Sequence, residues 1–234
     1  MMDMLPELLA AVLASVIAIT LHEAAHGYAA LWLGDPTAKL MGRLSLNPIR
    51  HVDPIGTLLI PGVLLVSQLL TIGRVDMMFG WAKPVPVDVR NLRNPRSGMM
   101  WVAAAGPVMN FCLAFVAALL VHPAGLMAGF LSADSMAVVY RFLGLSILVN
   151  LVLGLFNLLP IPPLDGGRIV VGLLPYRAAM AYAQLERYGL MLVIGLLFLL
   201  PMAVPAFQPM DAFLDWIVRP AFGFVLRAAG HGAV

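Results

Sequence analysis

The sequence predicts an all-α, polytopic membrane protein, and three observations carry that prediction. Hydrophobic side chains make up 62% of the 234 residues and charged ones only 11%, against about 25% charged in ordinary soluble domains. Mean hydropathy is +0.94. The apolar residues fall in runs long enough for membrane helices, separated by stretches that hold most of the prolines and basic residues. The expected architecture is a catalytic core of three spans, about 5–33, 99–121 and 142–159. A re-entrant apolar segment at about 55–72, a C-terminal span at about 189–205 and short extended segments complete it. With no repeat, low-complexity tail or long polar linker, residues 1–234 read as a single membrane-embedded domain. A net charge of +2 without a basic patch gives nucleic acid nothing to bind. The single cysteine, Cys112, lies in an apolar run and excludes both a disulfide framework and a cysteine-rich zinc site.

The first run is helical by composition, since proline and interior glycine are absent from Leu8 to His26. Asp3 and Glu7 precede it without any Lys or Arg, so it reads as a retained first span and not a cleavable signal. Gly34-Asp35-Pro36 stops it, and a polar stretch with Lys39, Arg43 and Arg50 leads to Pro54. The run 55–72 is short and carries Pro61-Gly62 near its middle. Residues 73–98 hold Arg74, Lys83, Arg90, Arg93 and Arg96, and within them Trp81 to Val87 reads as an edge strand or extended loop. Span 99–121 is followed by a loop, 122–140, without Lys or Arg. Span 142–159 closes on Pro160-Ile161-Pro162-Pro163-Leu164-Asp165-Gly166-Gly167. An amphipathic helix from about 168 to 188 then leads to the last apolar run, and the charged, aromatic tail 211–227 suits an interfacial helix.

Charge orders these segments across the bilayer. Loops 34–54, 73–98 and 160–188 are basic, whereas residues 1–7 and 122–140 lack Lys and Arg. The positive-inside rule places the three basic loops in the cytoplasm. A single crossing by 55–72 would put its two basic flanks on opposite sides, so a hairpin broken at Pro61-Gly62 is expected there. The first span then runs inward, 99–121 outward and 142–159 inward, which brings the end of the first span and Asp165 to the same side.

His22-Glu23-Ala24-Ala25-His26 lies late in the first span. Residues four apart share a helix face about one turn apart, so both imidazoles can bind one metal ion. Glu23 follows the first ligand and can accept a proton from water at the metal's open position. Ordinary residue usage produces this spacing by chance about once in a couple of hundred chains of this length. Ionisable groups are costly in an apolar helix, which makes them functional candidates. A catalytic zinc usually takes three protein ligands. His122 sits at the opposite end of a span and His231 in the tail, so Asp165 is the better third candidate; as an isolated residue it could equally cap a helix.

The motif in its span, Ala105-Gly106-Pro107 opening a middle span, and Phe156-Asn157-Leu158-Leu159-Pro160 through Leu164-Asp165-Gly166-Gly167-Arg168 closing a third resemble the site-2 protease family of intramembrane zinc metalloproteases. The resemblance covers about 8–33, 99–121 and 142–168, in the family's order. It implies one Zn2+ per chain, with His22, His26 and Asp165 as ligands and Glu23 as catalytic base. It also matches Asn157 to a family asparagine that positions substrate or the oxyanion, against a buried helix hydrogen bond as the other reading. The short loop 122–140 leaves no room for a PDZ domain, as in the compact branch of the family. Asn47, His51 and Asp53 either line an access path or shape their loop, the second being favoured about two to one.

The expected function is an intramembrane zinc endopeptidase that cuts in or near transmembrane segments of partner membrane proteins. The expected location is the cell membrane, with the site near the cytoplasmic side. A non-catalytic zinc- or client-helix-binding membrane protein would be expected to lack Glu23 or Asp165. A membrane di-iron oxidase would need more histidines than the five present.

Overall fold

The computed structural model describes residues 4–71, 73, 80, 82–204 and 206–232. Asp3, Ile72, Arg74, Trp81 and Pro205, named in the segments above, lie outside them. The described residues are helical apart from turns and one extended stretch, and the all-α expectation holds. The helices are α1 (Met4–Trp32), a single turn α2 (Thr37–Leu40), α3 (Ile60–Thr71), α4 (Pro95–Leu126), α5 (Ala133–Asn157) and α6 (Asp165–Leu173). A long helical stretch follows, α7 (Tyr176–Ala203), and then a closing one, α8 (209–228). By length and composition α1, α4, α5 and α7 can each cross a membrane.

The core is the three-helix packing of α1, α4 and α5, and it is built from small residues. On α1 the stripe Ala10, Ala14, Ala18 and His22 recurs every fourth residue and is buried, while Leu8, Leu9, Val12, Leu13, Val16 and Ile17 point outward. On α4, Ala103, Ala114, Ala117 and Ala118 are buried likewise. In lipid, large apolar side chains gain nothing by leaving the surface, so close approach of backbones through small residues stabilises the bundle. Contacts of His26 with Val102 and of His22 with Asn110 set α1 antiparallel to α4. Asn110 meets Asn150 and Gly154 on α5. The Glu7–Arg141 pair, 3.7 Å apart, sets α5 parallel to α1. The ends of α1 and α5 therefore lie on one side, as the charge argument requires.

Several boundaries differ from expectation. The helix expected at 99–121 begins at Pro95, with the Asn94 side chain accepting from Ser97 N at its start, and runs through Pro107 and Pro123 to Leu126. Tolerance of interior proline is usual where neighbouring helices satisfy the freed carbonyls. The connection to α5 thereby shrinks from 122–140 to a few residues around 127–132. Residues 54–71 do not turn back at Pro61-Gly62 but stay helical throughout. The Ile60 amide donates to Ile55 O, one residue wider than α spacing, which opens the ladder just ahead of the proline ring. The residues that flank the segment still meet, because Lys83 N donates to His51 O at 2.9 Å. The tail expected at an interface buries Phe213 and Val218 against Ala114, Ala118, Ile147 and Leu151, so its apolar face is covered by α4 and α5.

Residues 82–88 are extended without a ladder partner among the described residues. They are fastened to the end of α1 by Asp35, fully buried, which accepts from Thr37 N (3.0 Å), the Thr37 hydroxyl, Asp88 N (2.7 Å) and Asn91 Nδ2 (3.0 Å). Burial alone would raise the Asp35 carboxyl, but these donors hold it below its ordinary range. Asn47, His51 and Asp53 bond within their own loop, to Ile49 N, to Ser45 O, and to Ile55 N and Gly56 N respectively. Shaping the loop is what they do.

Candidate metal centre

Helix periodicity puts His22 and His26 one turn apart on the buried side of α1, with ring centroids 4.7 Å apart and planes at 88°. The hairpin of loop after α5 then carries Asp165 beneath them. His22 Nε2 and His26 Nε2 are 3.1 Å apart, and Asp165 Oδ2 stands 3.2 Å from the first and 3.4 Å from the second. Ligand atoms about 2.0–2.1 Å from a tetrahedral zinc stand about 3.3 Å from one another. The three atoms thus form one face of such a tetrahedron.

Two features fit a group able to hold a cation. Asp165 Oδ2 is buried and has no hydrogen-bond partner, an arrangement that costs a carboxylate several kcal/mol unless a cation is beside it. Its possible role as a helix cap is excluded, since Leu164 occupies the cap position and Asp165 is the first residue of α6. Each imidazole is also oriented from behind. His22 Nδ1 lies 2.5 Å from Asn110 Oδ1, and His26 Nδ1 lies 2.7 Å from Val102 O. Both acceptors call for Nδ1–H, which leaves both Nε2 lone pairs directed at the centre.

Glycines make the approach possible. A Cβ on Gly106 would lie 2.6 Å from His22 Nε2 and from His26 Cε1. One on Gly166 would lie 2.3 Å from the Leu158 and Leu159 carbonyl oxygens. Any side chain at Gly106 displaces the imidazoles; any at Gly166 displaces Asp165.

Glu23 sits half-buried next to this centre, and its Oε2 accepts from Val85 N at 2.9 Å, bringing the extended stretch against the motif. Asn157 is not drawn in: its amide donates to Leu153 O at 3.0 Å, the helix hydrogen bond of the two readings. Residues absent from the sequence reading are Asn110 and Asn150, both buried. Their signal was an amide side chain in mid-span, which needs a partner in lipid.

The sequence profile of peptidase family M50 matches residues 122–200. "Putative zinc metalloprotease YwhC" of Bacillus subtilis (strain 168) is 42% identical over 212 residues, covering 89% of this chain and 89% of that protein. The chain belongs to peptidase family M50. This is the site-2 protease family that the motifs resemble, and the M50 profile takes in Asn157 and Asp165. No solved structure matches the chain. Within an M50 protein, the buried trio at the shared end of α1 and α5 is the group able to hold a metal ion among the described residues.

Proposed function

We propose that this M50 protein is an intramembrane zinc endopeptidase, with one Zn2+ per chain held by His22, His26 and Asp165. Its substrates are membrane proteins cut in or near a transmembrane segment. The observation that carries this reading is the face of three ligand atoms, 3.1 to 3.4 Å apart, within a bundle of membrane-length apolar helices. Family membership agrees with it. Bound zinc supplies Lewis-acid polarisation of the scissile carbonyl and lowers the pKa of water. Glu23 takes a proton from the attacking water and passes it to the leaving amine as the C–N bond breaks, giving a carboxyl and an amino end. A non-catalytic binding protein would have no use for a carboxylate in that position.

The substrate must present an extended backbone, because a helical peptide bond is shielded by its own turn. The stretch 82–88 supports pairing with such a segment. Lys83 N and Val85 N point towards His51 O and Glu23, whereas Pro84 and Pro86, facing the other edge, have no N–H to offer. An incoming strand that takes the side of the metal centre, as in β-augmentation, pairs at Val85 N and frees Glu23 from it, while Lys83 N stays with His51 O. Asn157 has no part in this scheme.

Reconstituted protein should cleave a panel of single-span substrates, with mass spectrometry locating the cut inside or at the border of the apolar segment. Cuts confined to soluble regions would overturn the intramembrane reading. We also propose that the site lies near the cytoplasmic side of the cell membrane, since Arg50 and Arg90 flank a segment whose flanking residues His51 and Lys83 meet. Single cysteines at 50 and 90 in a Cys112→Ser background are expected to label with an impermeant reagent only after the cytoplasmic face is opened. Labelling of 90 alone from outside contradicts this.

A further inference from the structure

The His22 side chain ends a directional relay of amides that crosses all three core helices. We infer that Asn110 and Asn150 are positioning residues that set the tautomer of His22, so that its Nε2 is free to bind zinc. The inference rests on the proposed ligand role of His22.

The direction of the relay is fixed at its far end. Asn150 contacts Ser146 O at 2.9 Å, and a backbone carbonyl can only accept, so the group facing it is the Asn150 NH2. Asn150 Oδ1 must then face Asn110, 2.8 Å from its Nδ2. The Ala18 carbonyl, 3.5 Å from the same Nδ2, demands the same orientation. Asn110 Oδ1 is thereby turned to His22 Nδ1, which has to carry the hydrogen. Each amide has one way round, and the imidazole inherits it. Without the relay Asp165 Oδ2, 3.2 Å from His22 Nε2, favours hydrogen on that nitrogen, and the tautomer that carries it there cannot ligate the metal.

Burial makes this costly to build and thus informative. Asn110 and Asn150 are 0% and 3% exposed, in a bundle closed mostly by alanine, glycine and larger apolar residues. A mere helix-packing role needs amide bonding between α4 and α5 alone. It does not need Asn110 to face α1 with an acceptor, nor an acceptor opposite the one ring nitrogen that does not face Asp165.

The two roles separate in zinc affinity, measured on purified full-length protein in detergent by competition with a chelator. Asn110→Leu should lower affinity by about 10–100-fold, the usual effect of losing the group behind a metal-bound histidine. Asn110→Asp keeps an acceptor for Nδ1–H and should lose much less affinity than Asn110→Leu, although it places a charge in an apolar bundle and requires Asn150 to turn its NH2 towards the new carboxylate. A packing role predicts the opposite order. Asn150→Leu should weaken binding on its own, less than Asn110→Leu because Ala18 O still orients the amide. In the Asn110→Asp background it should add nothing, since both oxygens of a carboxylate accept and no direction remains to be set. If Asn110→Leu and Asn110→Asp lose zinc equally, or Asn150→Leu costs as much in the aspartate background, the relay is refuted. Thermal melting of the zinc-free variants identifies any that fail to fold. If wild-type protein and His22→Ala bind zinc alike, the ligand assignment itself fails, a result distinct from the others.

Discussion

Glu23→Gln is expected to retain zinc and to lose turnover by about 10²–10⁴-fold, the usual contribution of a positioned general base. The amide is nearly the same size as the carboxylate and cannot accept the water's proton. It keeps an oxygen able to accept from Val85 N, the bond Glu23 makes at 2.9 Å, so the extended stretch 82–88 stays in place. Loss of rate in this variant therefore reports the proton and not the fold. Glu23→Ala is a poorer test because it also releases Val85. Zinc per chain by elemental analysis and the cleavage rate of one reconstituted substrate suffice. A wild-type rate in Glu23→Gln would remove Glu23 from the chemistry.

Asp165→Ala is expected to lose zinc and activity together. Protein zinc sites with four ligands bind with about 10–16 kcal/mol, so one ligand is worth about 3 kcal/mol, on the order of a hundredfold in affinity. The carboxylate oxygen nearest the imidazoles makes no hydrogen bond and faces only His22 and His26 Nε2, at 3.2 and 3.4 Å, so its removal changes the metal-facing atoms and the helices should stay assembled. The zinc-free melting temperature of the variant should stay close to that of zinc-free wild type, because the lost approach to two imidazoles is offset by no longer burying a carboxylate. Full zinc content in Asp165→Ala would return the residue to a merely local role in α6.

Much of the site was legible because its first two ligands lie on one helix, where spacing alone sets geometry. Asp165 was legible for a different reason. The charge asymmetry of the loops fixed helix directions, and these bring the ends of α1 and α5 together. What the pattern did not reveal depends on tertiary contact. Asn110 and Asn150 look alike in the sequence to any amide in a span, and their meaning comes from a carbonyl on a neighbouring turn and a ring on another helix. The glutamate's bond to Val85, 62 positions away, likewise has no local signature. Two of the misplaced boundaries involve proline. Pro61 is read as a break by rules learned in water and Pro123 falls in the loop expected from 122, but both are accommodated within helical backbone here. The covered face of α8 was missed because the same mixture of charge, Phe and Trp serves a lipid interface or a protein partner equally well.

Zinc K-edge X-ray absorption on the purified protein tests the central claim most directly. Two imidazoles and carboxylate oxygen on one zinc predict a shell of nitrogen and oxygen at about 2.0–2.2 Å, with the outer-shell imidazole signal halved in both His22→Ala and His26→Ala. A sulfur shell at about 2.3 Å, or an imidazole signal unchanged by either substitution, would contradict the assignment of His22, His26 and Asp165.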